Sequence, residues 1–129
     1  MNLSRNEMAL AALLVVNVAL VFLLTPLGFE DRPSSELKTV GYIAIGTIFV
    51  GLFLDVASLV LLFRNVRSAA RLAIVGALLF FFPIVGDQLG AFFTLPIPPV
   101  INTLEYVFTV VLLVTLFVAW RVYQTGSAS

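Results

Sequence analysis

Four stretches of this chain are long enough and apolar enough to cross a bilayer, and this constrains the fold more than any motif does. A spanning helix needs roughly 20 mostly apolar residues. The first stretch runs from about Met8 to Leu24, interrupted only by Asn17, and ends at Thr25-Pro26-Leu27-Gly28. The second runs from Val40 to Phe63 with Thr47, Asp55 and Ser58 as polar members. A third begins near Ser68 and continues from Leu72 to Val85, broken by Pro83. The fourth runs from Pro99 to Tyr123 and contains Asn102, Thr103, Glu105, Thr109 and Thr115. The expected architecture is an all-α membrane protein, a four-transmembrane-helix bundle of up-down-up-down topology. It forms a single domain over the whole chain, with spans at about residues 7–25, 38–63, 68–86 and 99–123.

Composition supports the same class. Hydrophobic residues make up 61% of the 129 and charged residues 11%, against about 45 to 50% and about 25% in soluble domains. A soluble domain of this length would have too few polar residues to cover its surface. The first stretch follows Arg5 as a secretory signal would, but its apolar run is long and no small-x-small cleavage pattern follows Leu24. It reads as an uncleaved span.

Orientation comes from the basic residues. Arg64, Arg67 and Arg71 lie in or beside one short loop without an acid, which places that loop in the cytoplasm. Arg5 and Arg121 then fall on the same side, and Arg32 and Lys38 on the other with Glu30, Asp31 and Glu36. Both termini are expected to be cytoplasmic, in a multi-pass protein of the cell membrane.

Absences exclude several chemistries. There is no cysteine and no histidine, so disulfides, thiolate nucleophiles and ordinary zinc or haem ligation by side chains are not available. The only lysine, Lys38, lies at a segment edge, which removes a retinal-type Schiff base. Formal net charge is zero, giving no global field to attract nucleic acid. No cofactor or metal is expected.

What remains is three carboxylates in or against the spans. An ionisable group in a membrane is costly and marks a functional site by default. Asp87 is sixteen residues, or about 24 Å of helical rise, from Arg71, and Glu105 is equally far from Arg121. The two acids therefore lie at similar depth, and neighbouring third and fourth helices would gather Asp87, Gln88, Asn102, Glu105, Tyr106 and Thr109 into one outer-leaflet polar pocket. Asn102, Glu105 and Thr109 share a helix face by their spacing. The blander reading leaves both acids at the interface, solvated by water or headgroups.

Asp55 belongs to another layer. Thr47, Gly51, Asp55 and Ser58 recur on one face of the second helix, and this small and polar stripe should meet another helix. Asn17, at a similar depth, is expected to bond Asp55 directly or through water, so Asn17, Thr47, Asp55 and Ser58 form a second candidate cluster. Its bland alternative is a protonated Asp55 that only helps helices associate.

Other features have ordinary readings. Tyr106 and Trp120 are interface anchors, and Phe80-Phe81-Phe82 makes lipid contact and core packing, with a lipophilic cavity beside Pro83 as the alternative. Ser35 is placed to cap the second helix, with Lys38 at the third position. The segment from Gly86 to Pro99 either lies in the interface or follows a longer third helix that runs through Pro83. Pro26 to Glu30 and Pro83 to Asp87 share a loose proline, glycine and acid order that hints at paired hairpins.

Three function classes follow. The first is a binding or interaction protein: a subunit, an assembly factor or a lipophilic-ligand binder, whose partners are the bilayer, other membrane proteins, a second copy of itself or a lipophilic ligand. The second is a proton- or ion-coupled transporter using Asp55 or Glu105, acting as an oligomer. In architecture alone it resembles the small multidrug exporters, which carry their essential glutamate in the first helix, where this chain has Asn17. The third is an enzyme using Asp87 and Glu105 as acid and base. The sequence specifies no nucleophile and base, metal cluster or phosphate loop for one.

Overall fold

The computed structural model describes residues 3–32 and 34–125. They form four helices: α1 (Arg5–Asp31), α2 (Thr39–Leu61), α3 (Val66–Gln88) and α4 (Pro99–Thr125). A short 3-10 turn, Ser34–Glu36, precedes α2. Each helix is long and apolar enough to cross a membrane, and among the described residues there is no strand beyond one isolated bridge between Leu37 and Phe93. By helix length and composition this is a multi-pass membrane protein. Its outward side chains agree, since Phe22, Phe49, Phe53 and Phe117 are all exposed and would be costly in water.

Local chemistry sets the helix ends. Ser4 and Glu7 cap α1 reciprocally: the Glu7 N–H donates to Ser4 Oγ and the Ser4 N–H to Glu7 Oε1, both at 3.2 Å, which is a capping box. Asn65 caps α3 by accepting from the Ser68 N–H at 3.1 Å. That helix closes on a left-handed Gly90, with φ at +73°. The N–H of Ala91 bonds the carbonyl of Gly86 and the N–H of Gly90 that of Asp87, the paired pattern of a Schellman stop.

Two boundaries differ from the sequence expectation, and one alternative left open is decided. α1 does not end at Thr25-Pro26 but runs through Pro26 to Asp31, because proline removes one backbone bond and can be carried near a helix end. α3 passes through Pro83 and ends at Gln88, which is the longer-helix alternative; residues 89–98 form the connection. Ser35 does not cap α2, since the chain spends Ser34–Glu36 in the 3-10 turn and α2 starts after Lys38, whose side chain makes no cap bond. In the loosely repeated Pro26 to Glu30 segment, the side chains of Gly28, Phe29 and Glu30 lie outside what the structure describes, as does Pro33.

Each helix packs on two others in a ring, α1 on α2, α2 on α3, α3 on α4 and α4 on α1, and the seams are unequal. The α2–α3 seam is the most intimate. A Cβ at Gly51 would stand 2.9 Å from the Phe80 ring, and one at Gly76 would stand 2.9 Å from Asp55 Oδ1 and 3.4 Å from the Gly51 carbonyl. Small residues here let the backbones approach, the ordinary basis of helix association in lipid. The α1–α2 seam is the sparsest. Two apolar clusters fill the interior: Leu10, Leu14, Leu62, Val66, Ala69, Ala119 and Val122 at one end, and Val21, Ala77, Phe80, Ile84, Phe108 and Leu112 towards the other.

Candidate functional site

At the end of the bundle away from Leu62, the two connections α1–α2 and α3–α4 are stitched together. The Lys38 N–H donates to the Phe92 carbonyl at 2.6 Å and the Thr94 N–H to the Glu36 carbonyl at 3.0 Å. Lys38 Nζ reaches the carbonyl of Gly90 at 3.1 Å, and the Thr94 hydroxyl meets the Glu36 carboxylate. The ring of Phe92 lies against Gly86, where a side chain would collide with it. These contacts hold a strap across the end of the helices.

Beneath the strap lies an ionic site. Arg32, just past the end of α1, donates from Nη1 to Asp87 Oδ1 at 2.7 Å and from Nη2 to Asp87 Oδ2 at 2.8 Å. Such a two-pronged pair is the strong form of the interaction. Phe93 from the strap lies under the guanidinium, 4.2 Å from carbon to ring centroid, and Arg32 Nε has no hydrogen-bond acceptor among the described residues. On the other side, Gln88 Nε2 donates to Glu105 Oε1 at 2.7 Å and to Asn102 Oδ1 at 3.0 Å. Arg32, Asp87 and Glu105 are 3%, 5% and 8% exposed, so the set carries two carboxylates and one guanidinium with almost no access to water.

These three ionisable groups form the polar end of a cavity of about 340 Å³. The rest of its wall is nearly all apolar, contributed by α1 (Val21, Phe22, Leu24, Pro26), α2 (Ala44, Ile45, Ile48, Phe49, Leu52), α3 (Phe80, Pro83, Ile84) and α4 (Ile101, Phe108). Leu37, Phe92 and Phe93 close it from the strap. Its volume lies in the range of small-molecule sites, which are concave, mostly apolar and oriented by a few polar groups. Phe22 and Phe49 line it and are also among the exposed residues of α1 and α2, so the cavity reaches the lipid-facing surface at the sparsest seam.

Of the outer residues singled out in the sequence, Asp87, Gln88, Asn102 and Glu105 are brought together. Thr109 donates to the backbone carbonyl of Glu105 at 2.8 Å and so lies beside the site without offering it a free hydroxyl proton. Tyr106 is 60% exposed and makes no part of it. Arg32 is the member that sequence reasoning missed. The available signal was arithmetic: two acids at one depth need a cation, and the loops at that end supply only Arg32 and Lys38.

The second candidate set is not joined by hydrogen bonds among the described residues. Asn17 Nδ2 donates to Thr115 Oγ1 on α4 at 3.1 Å instead of meeting Asp55. Thr47 donates to its own helix at the Ala44 carbonyl, at 2.8 Å, and Ser58 donates across the seam to the Ala69 carbonyl at 2.7 Å. Asp55 is buried against Gly76, and its Oδ2 has no partner among the described residues. At the far end, Arg67 and Arg71 stack on the Tyr123 ring, with centroid distances of 4.8 and 5.4 Å.

No protein-family model, curated protein or solved structure matches the chain.

Proposed function

We propose that this chain is a four-span binding protein of the cell membrane whose cavity holds a lipophilic ligand, with the ligand's polar group set against Arg32, Asp87 and Glu105. The observation that carries this reading is the cavity itself: an apolar chamber inside the bundle with one ionic end. A core that served only to hold four helices together would be expected to fill such a space to crystal-like density. The absence of a nucleophile and base pair or metal cluster in the sequence weighs against an enzyme.

In this proposal the helices run up-down-up-down with both termini cytoplasmic, as the arginines of the α2–α3 loop favour. The strap and the ionic site then face the outer leaflet. The ligand enters from the bilayer between α1 and α2. A role as a subunit or assembly factor is compatible with the same cavity, filled by a lipid at the contact.

The test is native mass spectrometry of protein extracted from its own membranes, with and without a cavity-filling change, Ala44→Phe. A retained small molecule on the wild type that is lost in Ala44→Phe is the expected result. A wild type that carries nothing, even after exposure to total lipid extract, overturns the reading.

A second reading, a proton- or ion-coupled transporter acting as an oligomer, is favoured by one observation: Glu105 borders the cavity while the neighbouring cation, Arg32, is paired with Asp87. Under it Glu105 carries the coupling, since Asp55 is not among the cavity's lining residues. Proteoliposome flux that is unchanged by Glu105→Gln removes it.

A further inference from the structure

Resting on the ligand-binding reading just given, we infer that the cavity selects an amphiphile with a cationic head, an alkylammonium in chemical class, and that this head exchanges with a proton at Glu105. Charge sets the requirement. Among the described residues three ionisable side chains line the cavity, Arg32, Asp87 and Glu105, and one guanidinium cannot neutralise two carboxylates.

Arg32 is already committed. Both of its terminal nitrogens are on Asp87, at 2.7 and 2.8 Å, which leaves Glu105 as the carboxylate without a cation of its own. Gln88 gives it one neutral donor at 2.7 Å. That bond positions the carboxyl but does not cancel its charge. A carboxylate held 8% exposed at an apolar chamber is strongly disfavoured unless a positive charge or a proton joins it. Either will serve, and both occupy the same oxygen atoms, so a guest cation and a proton compete.

The surroundings of Glu105 do not supply another cation. From α3 it is faced by Asp87 and Gln88, from the α1–α2 connection by Arg32, and on its own helix by Asn102. Lys38 lies in the strap with its ammonium on the Gly90 carbonyl, and Glu36 is turned to Thr94. Asp55, the only acid on α2 within the span, is packed at Gly76 further down the bundle. Among the described residues no other ionisable group lines the chamber.

The remaining wall suits a cation with an apolar tail. Phe22, Phe49, Phe80 and Phe108 line the chamber, and aromatic faces attract desolvated cations. Arg32 already uses Phe93 in that way. An anionic guest, such as a fatty acid, meets two carboxylates and must take Arg32 from Asp87 to find its counter-charge. When the ammonium head enters, the proton on Glu105 leaves to water and the charge inside the chamber is unchanged.

The experiment uses the full chain in nanodiscs and three probes with one tail: decyltrimethylammonium, decanol and decanoate, titrated calorimetrically at pH 8 with empty discs subtracted. The ammonium probe is expected to bind at least tenfold more tightly than decanoate. Its affinity should fall as pH is lowered, approaching about tenfold per pH unit where one proton competes for one site. In Glu105→Gln the preference for the ammonium over decanol should disappear, whereas the lipid-facing Tyr106→Phe should leave it intact. Decanoate binding as tightly as the ammonium, a pH-independent ammonium affinity, or an unchanged preference in Glu105→Gln each overturns the inference. If Glu105→Gln fails to insert, the wild-type probe ranking and pH series decide alone. Binding of decanol or decanoate without the ammonium defeats the cation inference while keeping the ligand-binding reading; binding of none of the three defeats both.

Discussion

Arg32 and Asp87 stand 55 residues apart in sequence and meet in parallel, nitrogen to oxygen, at 2.7 and 2.8 Å. The pair ties the end of α1 to the end of α3, two helices that the chain does not connect directly. It is also nearly dry, and this determines how substitutions at it will behave.

Removing Arg32 leaves Asp87 as an unpaired buried charge, and removing Asp87 takes from Arg32 its two-pronged acceptor. Arg32→Gln or Asp87→Asn alone is expected to destabilise the bundle by about 3–5 kcal/mol, the usual consequence of breaking a buried pair. The double change Arg32→Met with Asp87→Leu should recover most of that loss. Thermal unfolding in detergent compares the three, and two single losses that simply add in the double variant would show that the pair is not coupled.

At the α2–α3 seam a single methyl group should matter. Gly76→Ala places a Cβ 2.9 Å from Asp55 Oδ1 and 3.4 Å from the Gly51 carbonyl, and is expected to cost about 1–3 kcal/mol as overpacking. On the same helix pair, Gly46 has open space around it. Gly46→Ala should be neutral or stabilising by up to about 1 kcal/mol through helix propensity. The contrast between the two, read by the same unfolding assay, checks the seam.

Asp55 presents the opposite case. Its Oδ2 is buried without a partner among the described residues, so replacing it with an apolar residue of the same branching removes an unmet polar atom. Asp55→Leu is expected to raise stability by about 1–3 kcal/mol. A marked loss of stability would show that the carboxyl has a partner in the membrane-embedded protein.

Orientation is directly testable because the chain contains no cysteine. A single cysteine at Asn65 should react with a membrane-impermeant maleimide only after the cells are opened. One at Leu95, which is exposed in the α3–α4 connection, should react in intact cells. The reverse pattern would invert the proposed topology.

The four helices were legible because apolar run length is a strong signal that survives without any knowledge of packing. The shared depth of Asp87 and Glu105 was legible too, since helical rise converts sequence distance into height. What height cannot give is the choice of neighbour. Asn17 and Asp55 were matched by level, yet α1 packs more closely on α4 than on α2, and Asn17 bonds Thr115. Arg32 was hidden for a related reason: it sits in a connection, where no periodicity states which way a side chain turns. The pairing of Leu37 with Phe93 was equally invisible, because two short connections carry no pattern that would match one to the other.

Mechanically, the unequal seams make α1 the leaf of a door. Its long edge is hinged along α4, where Asn17 holds Thr115 midway, and its other edge merely rests beside α2. The Arg32–Asp87 pair is then a latch at the leaf's tip. Together with the strap bonds from Lys38 and Thr94, it secures that end of the leaf, and a guest that drew on the charge of either residue would work directly against the fastening at the tip.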